Sequence, residues 1–142
     1  MSSDYTATFT VQQSPMEAYD AINDVRAWWT GEIEGDSRAL GDEFTYRHED
    51  VHLSTQRVVD LLPGQRVVWT VVEGYLAFVE DKQEWAGTTI TFDISRAGDL
   101  TEVRFSHVGL TPDIECFGAC SDAWGYYVNT SLRELIQARP AA

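Results

Sequence analysis

Three histidines, two cysteines and a dense set of aromatic residues are the side chains of this 142-residue chain that could do chemistry. His107 alternates with Val103 and Phe105, which aims it at the inner face of a strand close to the start of a long helix. There it could bond a ligand or move a proton. The competing reading, and the favoured one, is a histidine that ties the strand end to its loop, because no partner carboxylate can be named. His48 and His52, four apart on a strand, would share a face and could offer a metal two nitrogens. The segment between them reads instead as a polar strand-to-strand turn, and a third ligand is missing. Cys116 and Cys120 would lie about 5–6 Å apart on a helix, farther than the roughly 3.5–4.5 Å between Cβ atoms that a disulfide wants. Reduced thiols filling core space are therefore expected. No nucleophile stands beside a base, and no glycine-rich phosphate loop or paired-carboxylate motif is present. No catalytic residue, metal or cofactor is expected.

The aromatic residues are the stronger feature. Tyr46, Trp69, Trp85, Phe92, Phe105, Phe117 and Trp124 read structurally as core and functionally as the wall of a mostly apolar pocket. Val128 adds to that wall, and His107, Cys120, Tyr127 and Ser131 are its few polar groups.

The elements that must position these groups follow from periodicity. Residues 4–12 alternate as a half-buried strand, with Tyr5, Ala7, Phe9 and Val11 on one side. Ser14-Pro15-Met16-Glu17 is a capping box with proline at the first helical position. In the helix it opens, Met16, Tyr19 and Ile22 share a face. A short helical turn from Asp24 to Trp29 ends in Trp28-Trp29. Strands are then expected at Glu32–Gly35 (an edge), Glu43–Arg47, His52–Leu61, Arg66–Tyr75, Thr88–Ser95 and Thr101–Val108. Arg66–Tyr75 is apolar on both faces, as a strand covered on both sides would be. Residues 76–86 read as a loop carrying Phe78 and Trp85.

The longest helical period runs from Thr111 to Ala138. Steps of 100° put Phe117, Cys120, Trp124, Tyr127, Val128, Ser131, Leu132 and Leu135 on one face, opposite Asp122, Asn129 and Arg133. Thr111 is the expected N-cap, Pro112 the first helical residue, and Asp113 and Glu115 its acidic first turn. Gly118 suggests a break, and Gly125 a place where another backbone approaches. A helix of this length arriving after a run of antiparallel strands needs a sheet to lie on. The fold class is α+β, a single domain.

Composition limits the partners. A hydrophobic content of 44% with 12% aromatic residues describes a globular chain with a large aromatic core. The formal charge of −13 makes nucleic acid and anionic membranes poor partners and mildly favours a neutral or cationic ligand. No apolar run would span a bilayer, and MSSDYTATFT lacks the order of a signal peptide, so the expected location is cytoplasmic.

Several pieces, in order, resemble the START-like or SRPBCC superfamily, in particular the branch related to activators of heat-shock-chaperone ATPase. They are Ser14-Pro15, Trp28-Trp29, Pro63-Gly64 with Val68-Trp69, Glu84-Trp85-Ala86-Gly87-Thr88, Phe105-Ser106-His107-Val108-Gly109-Leu110, and Trp124 with Ser131-Leu132. The chain departs from the branch after its last helix, where Ala138-Arg139-Pro140 stands in place of glycines. The resemblance implies a helix-grip fold: a curved antiparallel sheet wrapped around a long C-terminal helix and an apolar cavity, with two short helices after the first strand. Members of the superfamily bind lipids and hormones, cyclise polyketides, resemble dehalogenases or act as co-chaperones. The expectation is a domain that holds a small apolar or aromatic molecule between sheet and helix. The alternatives are a co-chaperone-like module that binds a protein through its acidic surface, and a cyclase- or hydrolase-like enzyme using His107.

Overall fold

The computed structural model describes residues 4–29, 32–48, 52–76, 85–111 and 117–138. Seven strands form one curved antiparallel sheet: β1 (Tyr5–Val11), β2 (Glu32–Gly35), β3 (Glu43–His48), β4 (His52–Leu62), β5 (Arg66–Leu76), β6 (Thr89–Ala97) and β7 (Leu100–Val108). Their order across the sheet is β1-β7-β6-β5-β4-β3-β2, so the edges are β1 and the short β2. Two short helices, α1 (Pro15–Asn23) and α2 (Val25–Trp28), follow β1. The C-terminal helix has three parts: α3 (Phe117–Tyr126), a π-helical turn (Tyr127–Leu132) and α4 (Arg133–Gln137). This is the helix-grip α+β architecture that the residue pattern implies.

The capping box at Ser14 is formed in both directions. Ser14 Oγ accepts from the Glu17 N–H at 3.2 Å, and the Ser14 N–H reaches Glu17 Oε1 at 3.4 Å. The face that α1 buries differs from the expected one. Ala18, Ala21 and Ile22 are fully buried, whereas Met16 is 46% exposed, lying over the turn at Gly64. Small alanines let α1 lie close to the sheet, and the bulkier Met16 caps the β4–β5 turn from outside.

Alternation fixes the inner face. Val67, Trp69 and Val71 of β5, Ile90, Phe92 and Ile94 of β6, and Val103, Phe105 and His107 of β7 are all buried. Val68, Thr70 and Val72 on the other face of β5 are only half-buried. The strand expected to be covered on both sides is thus fully covered on one. β4 carries two register shifts, at Thr55/Gln56 and Val58/Asp60. Bulges of this kind bend and twist a strand, which curls the sheet toward the helix.

The helix departs from a simple 100° projection in an informative way. Its buried residues are Cys120, Trp124, Val128, Leu132 and Ile136, a strict spacing of four. In a straight α-helix that stripe would drift by about 160° between its first and last members. The π turn takes up an extra residue and brings Leu132 and Ile136 back over the sheet. Ile136, outside the expected face, is fully buried, and Leu135 is only half-buried. Pro112, Asp113, Glu115 and Cys116 lie outside the described residues, as do most of 76–86; Thr111 precedes the described helix. Gly125 is approached by the Tyr5 hydroxyl, not by a backbone: a Cβ there would stand 3.4 Å from Tyr5 Oη.

The phase argument predicts an unusual tolerance. Deleting the exposed Thr130 leaves buried positions spaced four, four, three and four, the stripe of a plain α-helix. The variant should unfold cooperatively, with a urea midpoint above that of Leu132→Ala, for which a loss of about 2–5 kcal/mol is expected. A deletion more damaging than Leu132→Ala would show that the π turn has some other role.

Candidate functional site

The inner face of the sheet, α2 and the C-terminal helix enclose a continuous group of aromatic rings. Trp29 stacks on Tyr46 with ring centroids 4.1 Å apart, meets Trp124 at 4.9 Å, and lies parallel to Trp69 within 2°. Trp124 packs on Phe105 at 4.7 Å and stacks with Trp85 at 5.7 Å. Phe92 bridges Trp69 and Phe105 at 5.1 and 5.2 Å. Six of the seven aromatic candidates are therefore in one cluster, and Phe117 is half-buried against the core. Val128 and Cys120 are buried beside them.

Each polar candidate already has a geometry. Ser131 Oγ donates to the Trp28 carbonyl at 2.6 Å and ties the π turn to the end of α2. Tyr127 and Tyr46 bring their hydroxyls to 3.4 Å. Burial, reinforced by Tyr127, holds the Tyr46 phenol well above its ordinary range, so it stays protonated. His107 is fully buried. The Trp124 indole N–H donates to its Nδ1 at 3.0 Å. Nδ1 is thus an acceptor, the proton sits on Nε2, and Nε2 donates to Thr88 Oγ1 at 2.8 Å. Thr88 Oγ1 in turn donates to the Trp85 carbonyl at 2.6 Å. This chain joins helix, strand and the entry to β6. With both nitrogens engaged, the ring offers no lone pair to a substrate proton. Burial, with a smaller contribution from His52, pushes its pKa down to about 3.

Two glycines make room for this arrangement. At Gly109 (φ 104°) an added Cβ would lie 2.7 Å from Thr88 Cγ2, so only glycine lets the chain leave β7 beside the partner of His107. At Gly74 an added Cβ would lie 2.9 Å from the Trp85 Cβ. Trp85 rests directly on that bare stretch of β5.

A second polar line runs along the inner face of β4. His52, Ser54 and Gln56 alternate there, with Gln56 Nε2 donating to Ser54 Oγ at 2.6 Å and Ser54 Oγ 2.9 Å from His52 Nε2. Having accepted from Gln56, the Ser54 hydroxyl has its own proton left for His52 Nε2. His48 and His52 are cross-strand partners at the ends of β3 and β4, in keeping with the expected strand-to-strand turn and not with two ligands on one strand. The His52 ring is held edge-on against Tyr46 and Trp85, with centroids at 5.0 and 4.6 Å. Burial first, and His48 second, lower its pKa to about 4. Among the described residues no group of three or more His, Cys, Asp or Glu side chains could hold a metal ion.

Sequence reasoning left three groups out of the site. Trp28 and Trp29 stand at its centre, although their adjacency had marked them only as a resemblance. Phe44 packs on Trp69 at 5.0 Å. The His52-Ser54-Gln56 line is visible as a period of two ending at Val58, but polar residues on a buried face are easily taken for a solvent face. Two surface clefts, of about 340 Å³ along β4–β5 and about 420 Å³ between β1 and α4, are lined by none of the expected residues.

The family model described as Activator of Hsp90 ATPase homolog 1-like protein matches residues 13–137, nearly the whole of this fold. The chain belongs to that family. The solution structure of the Aha1 dimer from Colwellia psychrerythraea is similar to this activator-family chain at a TM-score of 0.76 and 22% identity, covering 95% of this chain and 96% of that one. Protein MLL2253 from Mesorhizobium loti gives 0.73 at 16% identity, covering 96% and 99%. CalU16 from Micromonospora echinospora gives 0.66 at 15% identity, covering 99% and 78%. At these identities the likeness is one of fold. None of the curated proteins matches the chain. Among the described residues no helix of this family member is long and apolar enough to cross a membrane.

The two histidines give the activator-family chain a definite pH response. Their folded-state pKa values lie below the ordinary 6.5, so the unfolded chain takes up protons first as pH falls. Stability should hold above about pH 6.5 and decline below it, toward pH 4 for His52 and pH 3 for His107. In urea titrations His52→Asn should flatten that decline by about 1 kcal/mol per pH unit. An unchanged slope would mean that His52 is not held neutral by its burial.

Proposed function

We propose that the chain holds a small aromatic or apolar molecule between the inner face of the sheet and the C-terminal helix. One observation carries this reading. Trp69 Nε1, Trp85 Nε1 and Gln56 Oε1 are buried within the aromatic cluster, and none has a hydrogen-bond partner among the described residues. Leaving a buried polar group unpaired costs about 1–3 kcal/mol. A core serving packing alone gains nothing by keeping three of them. A site that pairs them with a ligand does, and a mostly apolar wall with a few convergent polar groups is the usual make-up of a small-molecule site. The residues proposed to line it are Tyr46, Trp69, Trp85, Phe92, Phe105 and Trp124, with Trp29 and Gln56 added. Phe117, Cys120, Tyr127 and Val128 lie along its helix side; His107 and Ser131 hold its walls together.

The test is a thermal-shift screen of the purified protein against neutral aromatic, apolar and lipid-like compounds, followed by titration of tryptophan emission. A ligand present at 100 times its Kd adds about 2.7 kcal/mol to the folded state, so a related set of compounds should raise the midpoint by several degrees. Trp85→Leu should remove most of the shift. A flat screen, with emission unchanged, overturns the reading.

A second reading is a protein-docking module. It is supported by the family description, by the fold-level likeness to Aha1 and by the charge of −13. Adding the chain to an Hsp90-class chaperone should then stimulate ATP turnover. That stimulation should weaken as salt shortens the screening length from about 10 Å at 0.1 M. Turnover that does not change at low salt removes this alternative.

A further inference from the structure

The sheet is open, and an open sheet ends in strands whose outward N–H and C=O groups can pair with another chain. One of its ends is β2, a four-residue strand exposed at every position except the half-buried Ile33. On its inner side β2 pairs with β3, Ile33 opposite Tyr46 and Gly35 opposite Phe44. The exposed Arg26 of α2 reaches over this edge. Its Nη2 donates to the Ile33 carbonyl at 3.2 Å and to the Gly35 carbonyl at 2.7 Å. Residues two apart on a strand present their backbone groups to the same side. The guanidinium therefore stands where an added strand would bring its N–H groups. We infer that Arg26 is a guard, and that β2 is a latent pairing surface for a second copy of this chain, which Arg26 keeps closed.

Charge supplies a second obstacle and identifies what is being kept out. Glu32 and Glu34 are exposed on either side of Ile33. Pairing through the backbone groups of Ile33 and Gly35 leaves two registers in which antiparallel copies of β2 overlap well. In one, Ile33 faces Ile33 of the second copy, and Glu32 faces its Glu34. In the other, Ile33 faces Gly35 of the second copy, and Glu34 faces its own equivalent. Either register sets carboxylate against carboxylate, which destabilises a cross-strand pair. The second copy would also have to displace two charge-assisted hydrogen bonds from Arg26. Shortness, charge and an occupied edge are the means by which natural sheets avoid adding strands, and β2 has all three. The inference concerns the sheet edge and is independent of the interior site.

The test compares, by analytical ultracentrifugation at neutral pH, the wild type, Arg26→Ala, the pair Glu32→Thr with Glu34→Thr, and the triple variant. The triple variant should reach twice the mass of the wild type, whatever assembly the wild type has. Arg26→Ala alone and the glutamate pair alone each keep one obstacle and should sediment as the wild type does. Adding Ile33→Pro to the triple variant removes an outward N–H and should restore the wild-type mass. Arg26→Met with Glu32→Gln and Glu34→Gln keeps side-chain size and serves if the threonine variant does not fold. A triple variant of unchanged mass overturns the inference. If Arg26→Ala then also unfolds at lower urea, the contact only anchors α2 to the sheet. Association of the glutamate pair with Arg26 in place shows that Arg26 guards nothing. Association that survives Ile33→Pro runs through another surface and equally overturns the proposal.

Discussion

The contact on which the rest depends is that of Trp29 with Tyr46 on one side and Trp124 on the other. One indole, delivered by a four-residue helix, touches the far strands of the sheet and the middle of the C-terminal helix at once. A single sheet covered by a single helix has a thin core, and its curvature opens a gap that neither layer closes alone. Trp28 and Trp29 fill that gap from the side. Trp28 is fastened twice: its indole donates to the Ile22 carbonyl, and its carbonyl accepts from Ser131. Hydrogen bonds from Trp28 and Trp124 thus fix the aromatic interior to the surrounding backbone and strands. Ring pairs in its middle add about 0.5–1.5 kcal/mol each beyond burial.

The helix that closes this interior must keep one face on a curved surface for about five turns. An α-helix with a four-residue stripe cannot do so, and the π turn restores the phase where Ser131 meets Trp28. Tyr127, at the start of that turn, brings its hydroxyl to Tyr46. The departure from α geometry thus lies where helix, α2 and β3 converge, the position at which extra backbone freedom is most useful to a site.

Much of this was legible in the sequence, and the reasons for the exceptions are physical. Alternation in β1, β6 and β7 identified the inner face residue by residue, down to His107, because one face is buried and a one-residue slip would invert it. The capping box at Ser14 and the turns at Gly64 and Gly98 were readable from local chemistry. Ile136 was not, since its burial depends on a π turn that no residue-type signal announces. Met16 failed because alanines, neutral in a hydrophobicity pattern, won the buried face by allowing close approach. The His52-Ser54-Gln56 line was hidden for the opposite reason: its polarity argues for solvent, and only the neighbouring strands reveal that it faces inward. Trp28 and Trp29 were visible as residues but not as the centre of the site, because their neighbours come from β3, β5 and α3.

The distribution of polarity then has a single direction. Charges lie outside, where pairs such as Arg57–Glu43 and Arg66–Asp93 are half exposed and contribute little. Inside, burial holds Tyr46 protonated and His52 and His107 deprotonated. His107 is wholly occupied by Trp124 and Thr88, which makes it a fastening of the wall and not a reagent. Among the described residues of the aromatic cluster, the indole N–H groups of Trp69 and Trp85 and the amide oxygen of Gln56 have no hydrogen-bond partner. Groups of that kind can orient a neutral molecule but cannot drive proton transfer or nucleophilic attack, because none of them changes protonation state in water's accessible range.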